Sequence, residues 1–179
     1  MEEKRQNIIQ ITMLLGTFLG LYQAFTLASM VLALKFNTGF FIFLVLVIGL
    51  PFAAGFIIKK YRDKNNLLFF PFSMAWLFSM MTFLFASLLS VMLFYLFLRF
   101  IDNGQFITNT ISLFEVFKEQ TPDINPRLSA FAGQMDSYIE YYETLTLNGI
   151  IKDLFSTNLL WGNIYSLIIA AFIKRHKIA

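Results

Sequence analysis

Residues 38–58 read TGFFIFLVLVIGLPFAAGFII, an apolar run with no ionisable side chain in it. A bilayer core about 30 Å thick needs roughly 20 such residues at a rise of about 1.5 Å each. Lipid offers no partner for backbone N–H and C=O groups, so the run must be helical. Three more runs of this kind surround it, at 8–34, 69–101 and 154–173. The expected fold is an all-α membrane protein with four transmembrane helices. A more polar stretch, about 102–153, is expected as a helical extracytoplasmic segment between helices three and four.

Composition agrees with a lipid-embedded chain of one domain, 1–179. Hydrophobic residues make up 58% and charged residues 14%, whereas a soluble domain carries about 25% charged residues. There is no cysteine, which excludes disulfides, thiolate metal sites and cysteine nucleophiles. The one histidine, His176, lies in the basic tail, so no proton-relay histidine is expected inside the membrane. The N-terminal MEEKRQNIIQITMLLG has the basic start of a secretory signal, but its apolar run is too long. It is expected to stay as the first span.

Charge orients the spans, because short cytoplasmic loops carry the excess of Lys and Arg. With the N-terminus inside, the inner side holds Lys4, Arg5, Lys59, Lys60, Arg62, Lys64, Lys174, Arg175 and Lys177. The outer side holds Lys35, Arg99, Lys118, Arg127 and Lys152, spread over much more chain. The loop IIKKYRDKNN (57–66) and the tail IKRHK (173–177) agree on this orientation. Both termini are therefore expected in the cytoplasm.

Helices in lipid associate through close packing of small residues and a few hydrogen bonds. Gly16 and Gly20 lie four apart on the first span. Ala75, Ser79, Thr82, Ala86 and Ser90 share one face of the third, and Gly162, Ser166 and Ala170 one side of the fourth. The second has Gly49, Ala53 and Pro51, which frees the carbonyl of Val47. These stripes predict a compact intramolecular bundle. Gln23 and Asn163 are the candidate intramembrane polar contacts, read either as interhelical hydrogen bonds or as a polar site at mid-membrane. Phe78, Phe83, Phe85, Phe94 and Phe97 are read as facing lipid or a partner.

In the outer segment, Asp102-Asn103-Gly104 predicts a turn. Asn109 or Thr110 is expected to cap a short helix, and a second amphipathic helix is expected from about Arg127 to Leu147, with Asn148-Gly149 as its C-cap. Asp136, Glu140 and Glu143 are read as a solvated face rather than a cation site, and Tyr138, Tyr141 and Tyr142 as interfacial anchors. No phosphate loop, HExxH or Ser-His-Asp set occurs. No acidic or basic residue sits deep in a span, which argues against an ion pump. No catalytic residue, cofactor, metal or nucleic-acid partner is expected.

Over its whole length the chain resembles a family of small four-helix bacterial inner-membrane proteins, known as domain of unknown function 4199. The resemblance rests on IIKKYRDK (57–64), FSMAWLFSM (72–80), the DNG turn (102–104) and LIIAAFIKR (167–175). It implies a bacterial inner-membrane location, a periplasmic outer segment and a possible partner among membrane-associated polyprenyl-phosphate glycosyltransferases. The expected function is a non-catalytic accessory or scaffold protein, with Lys59, Lys60, Arg62 and Lys64 meeting a partner or lipid headgroups. The alternative is a carrier for a lipid or small neutral solute, with Gln23, Asn163 and the Pro51 kink along its path.

Overall fold

The computed structural model describes residues 2–65, 69–124 and 129–175. Within them the chain forms six α-helices: α1 (Glu2–Ala33), α2 (Asn37–Lys64), α3 (Phe72–Phe100), α4 (Gln105–Ile124), α5 (Ser129–Thr144) and α6 (Leu147–Ile173). Four of them contain segments long and apolar enough to cross a membrane: Ile8–Ala33, Thr38–Lys64, Phe72–Phe100 and Leu147–Ile173. The chain has the build of a membrane protein. Of the inner-side bases predicted from sequence, the side chains of Lys4 and Arg5 and all of Lys177 lie outside the described residues, as do the outer-side Arg127 and the tail's His176.

Helix ends follow their local chemistry. Pro71 is the N-cap of α3, at φ −64°, and its carbonyl accepts from Ala75 N at 2.9 Å. The expected turn after α3 forms, with Asn103 at φ 50° and Gly104 at φ 82°. Positive φ costs glycine little and asparagine less than most residues, which is why this pair sits there. Asp102 Oδ2 accepts from Phe106 N at 2.9 Å, so the buried Asp102 caps α4. This corrects the assignment of Asn109 or Thr110. Thr110 lies mid-helix, with its hydroxyl on the Phe106 carbonyl at 2.7 Å. Asn148-Gly149 is likewise no C-cap. Thr146 caps α6, its hydroxyl accepting from Gly149 N at 3.2 Å, so the last helix starts at Leu147 rather than 154.

The four long helices form a ring. α3 packs against α1 on one side and α6 on the other; α2 packs against α1 and, more lightly, α6. α3 is the most buried of the four and α2 the least. At the α1–α3 seam, a Cβ on Gly16 would stand 2.6 Å from Phe85 Cβ and 3.0 Å from the Thr82 carbonyl. One on Gly20 would stand 2.9 Å from the Ala86 carbonyl. Ala75, Ser79, Thr82, Ala86 and Ser90 are all buried on α3. Ser79 and Thr82 donate to the carbonyls of Ala75 and Phe78 on their own helix, at 2.8 and 2.9 Å. Their hydroxyls are satisfied at home, which leaves small surfaces for a neighbour. On the other side of α3, Phe83 fills the space over Gly162. Ser166 and Ala170 are buried on the same α6 face.

The aromatic reading of α3 needs correcting. Phe78, Phe83 and Phe94 are buried, not turned to lipid or a partner. Phe78 stacks on Tyr61 with ring centroids 5.2 Å apart, and Phe94 meets Phe106 edge-on at 5.6 Å. Phe85 and Phe97 are half-buried. Small residues let backbones approach, and large rings then fill the wedges beside them.

Candidate functional site

The bundle is open along the α2–α6 seam. One cavity of about 420 Å³ lies between α1, α2 and α6. Its polar lining is Gln23, Thr26, Thr157, Asn158 and Tyr165, with Leu50, Trp161 and other apolar residues around them. Among the described residues no charged side chain lines it. Gln23 is buried, and its Oε1 accepts from Ser90 Oγ at 3.1 Å across to α3. That is the interhelical hydrogen bond expected of it. Thr26 donates to the Tyr22 carbonyl on its own helix at 3.0 Å. Asn158 differs: its Nδ2 is buried and has no hydrogen-bond partner among the described residues. A buried amide left unpaired costs about 1–3 kcal/mol, so a polar group in the cavity would gain by meeting it.

Close to this space, α1 and α2 are tied together ahead of the proline of α2. The Tyr22 hydroxyl donates to the Leu46 carbonyl at 2.9 Å, in the turn before Pro51. Gly49 makes this reach possible, since a Cβ there would stand 2.6 Å from the Tyr22 hydroxyl. Asn163 does not join Gln23. It is exposed, and its Oδ1 accepts from Trp76 Nε1 at 3.2 Å on the α3–α6 side. The pairing of Gln23 with Asn163 along one path is thereby corrected.

Below the polar cavity the seam continues as an apolar groove of about 650 Å³. Pro51, Phe52, Gly55, Phe56 and Lys59 line it from α2, and Tyr165, Ile168, Ile169, Phe172 and Ile173 from α6. Tyr165 belongs to both spaces. The groove ends at the basic end of the bundle, where a clasp ties α2, α3 and α6 together. Phe70 and Arg175 exchange two backbone hydrogen bonds, 3.1 and 2.7 Å. Arg62 Nη1 donates to the Ile173 carbonyl, at the C-terminal end of α6, where an orphan acceptor favours a cation. Arg62 Nε and Nη2 both donate to Asp63 Oδ1, at 2.9 and 2.7 Å, and Arg175 adds a contact of 3.4 Å to the same oxygen.

Arg62 is only 5% exposed, whereas Lys59, Lys60 and Lys64 are exposed. Residues 59–64, expected as a loop, are the end of α2, and they split into a structural arginine and three surface lysines. Treating all four as one contact surface is corrected by this burial: a guanidinium spent on a helix terminus and a carboxylate is not available to a partner.

At the other end, α4 and α5 pack chiefly on each other, while Phe106 at the start of α4 is buried against Phe94, Leu98 and Ile150 of the bundle. Phe114 stacks on Tyr138 with ring centroids 5.8 Å apart and meets Tyr142 at a tilt at 5.6 Å, and Lys118 pairs with Asp136. Lys35 Nζ donates to Gln105 Oε1 at 2.7 Å, beside the root of the hairpin. The Tyr141 hydroxyl donates to Asp153, and chiefly for that reason its pKa is raised. Burial raises that of Tyr142. Among the described residues no group of three His, Cys, Asp or Glu side chains is arranged to hold a metal ion.

Sequence reading missed Asn158, Thr157 and Tyr165. With a span starting at 154, Asn158 falls at its end, where an asparagine is unremarkable. With α6 starting at Leu147, it sits about 16 Å along the helix, near its middle. The signal was Thr146, an N-cap residue three before Gly149.

Fold and cavities together define a four-helix membrane bundle with one closed and one open seam. The chain belongs to the family described as protein of unknown function (DUF4199), whose model matches residues 9–175. Comparison with curated proteins gave no match, and comparison with solved structures gave none.

Proposed function

We propose that the protein is a non-catalytic carrier or binding protein for a small neutral polar molecule, or for the neutral polar part of a lipid. The ligand would sit in the cavity between α1, α2 and α6. The observation that carries this reading is the buried, unpartnered Asn158 Nδ2 in a mostly apolar lining where Gln23, Thr26, Thr157 and Tyr165 are the other polar groups and none is charged among the described residues. A charged substrate would find no counter-ion there, and an entirely apolar one would leave the amide unpaired. Replacing Asn158 by Leu should abolish the bound small molecule seen by native mass spectrometry of the gently solubilised wild type. Its unfolding midpoint should stay the same or rise slightly, because an orphan polar group has been removed. An unchanged profile of bound masses in Asn158→Leu would overturn the reading.

The positive-inside rule supports an orientation with both termini in the cytoplasm and the α4–α5 hairpin in the periplasm of a bacterial inner membrane. Lys59, Lys60 and Lys64 share the basic end with Lys174 and Arg175. The chain has no native cysteine, so single cysteines can be placed at will. A cysteine at Tyr138 should react with an impermeant thiol reagent in intact spheroplasts, and one at Lys60 should not. The reverse pattern would invert the topology.

An accessory role beside a membrane-associated glycosyltransferase is the second reading. The exposed trio Lys59, Lys60 and Lys64 favours it as a surface for an acidic partner. Salt-sensitive co-purification of one protein, lost in Lys60→Gln, would support it over the carrier reading.

A further inference from the structure

The groove between α2 and α6 opens at one end onto a second concavity, of about 590 Å³, lined by Phe56, Lys59, Lys60, Asp63 and Lys64. The two share Phe56 and Lys59. Asp63 is already held by Arg62 and Arg175. Lys59, Lys60 and Lys64 form no ion pair among the described residues. Lys60 Nζ stands 6.0 Å from the centre of the Phe56 ring, so one aromatic touches both the charge and the groove.

We propose that this is a binding site for a single anionic glycerophospholipid. Its phosphate lies against Lys59 and Lys60, and one acyl chain lies in the groove against Phe52, Phe56 and Phe172. The lysines all come from the end of α2 and stand at the mouth of the α2–α6 groove, and a basic cluster at the cytoplasmic end of a span suits an anionic headgroup. The length of the groove favours a lipid over a soluble anion. From Lys59 to Pro51 the helix rises about 12 Å, close to one leaflet of a core about 30 Å thick. A free phosphate has no use for such a trough. An acidic protein approaching from water could meet the lysines, but Phe52 and Phe172 sit in the apolar stretches of their helices, out of its reach. The site goes beyond the polar cavity, with which it shares Tyr165 alone.

The test is lipid retention, counted by native mass spectrometry after extraction from bilayers of phosphatidylcholine and phosphatidylglycerol. The wild type should keep one phosphatidylglycerol per chain in preference to phosphatidylcholine. Lys59→Gln with Lys60→Gln should weaken retention about 30-fold, at roughly tenfold per 1.4 kcal/mol and about 1 kcal/mol per lysine. Gly55→Leu, with every lysine intact, should weaken it about tenfold by filling the groove. A Cβ there meets only Ile169 Cγ1, at 3.8 Å, so folding should survive. Phe172→Ala guards against misfolding, because Phe172 is 84% exposed; it should also lose lipid. Asn158→Leu should leave retention untouched, which keeps this site separate from the carrier reading. Equal retention of both lipids would overturn the proposal. So would phosphatidylglycerol retention unaffected by Gly55→Leu and Phe172→Ala, or displacement of the lipid by millimolar inorganic phosphate alone.

Discussion

The α1–α3 seam and the α2–α6 seam are built from opposite materials. The first brings backbones together at Gly16 and Gly20, against a face of Ala, Ser and Thr on α3. The second sets Phe52 and Phe56 of α2 beside Ile168 and Phe172 of α6, with Pro51 inside the unbroken α2. Lipid supplies no hydrophobic drive for helices to associate, so intimacy must come from shape. Small residues give that at α1–α3. At α2–α6 the contact is lighter, Phe52, Phe56 and Phe172 stay largely exposed along its rim, and the seam carries a cavity above and a groove below. One seam holds the bundle together; the other is where a guest can enter.

The largest expected effect compares one substitution in the two seams. Gly16→Leu should cost about 3 kcal/mol or more, because overpacking against the α3 backbone leaves no flexible side chain to give way. Gly55→Leu should stay within about 0.5 kcal/mol, since its neighbour is ordinary contact distance away. Thermal unfolding in detergent checks both, and equal losses would erase the contrast between the seams.

A smaller effect is expected at the basic end, where the clasp keeps the open seam from parting. Arg62→Gln removes the donor on the Ile173 carbonyl and the pair with Asp63, and should cost about 2 kcal/mol. Lys60→Gln should be silent within about 0.5 kcal/mol, because an exposed cation without an ion pair contributes little to folding. If denaturation finds the two variants alike, Arg62 is a surface charge after all and the clasp has no role in stability.

Much of this fold was legible in the sequence. Length and apolarity define the four spans, and the small-residue periodicity of α3 identifies the face that α1 meets. What sequence could not separate was the side on which each phenylalanine falls. Phe78 and Phe83 are as apolar as Phe52 and Phe172, and only packing distinguishes a ring wedged beside Gly162 from one facing outward. The same holds for charge. Lys60 and Arg62 stand two residues apart at the basic end of α2, yet the helix rotation between them turns Arg62 inward to the end of α6. Asn158 was hidden by a misplaced helix start. Gln23 was found, as a polar residue at depth, but its bond to Ser90 is a tertiary fact.

The claim that the α2–α6 seam is the one that takes a guest is tested most directly by photo-crosslinking. An anionic phospholipid with a diazirine in its acyl chain is irradiated with the protein in bilayers, and the adducts are mapped by mass spectrometry. Phe52, Phe56, Ile168 and Phe172 should carry most of the label. Phe18 and Phe25 of α1, equally apolar and also exposed, should carry only the background of passing lipid. Label spread evenly over these six positions would contradict the account.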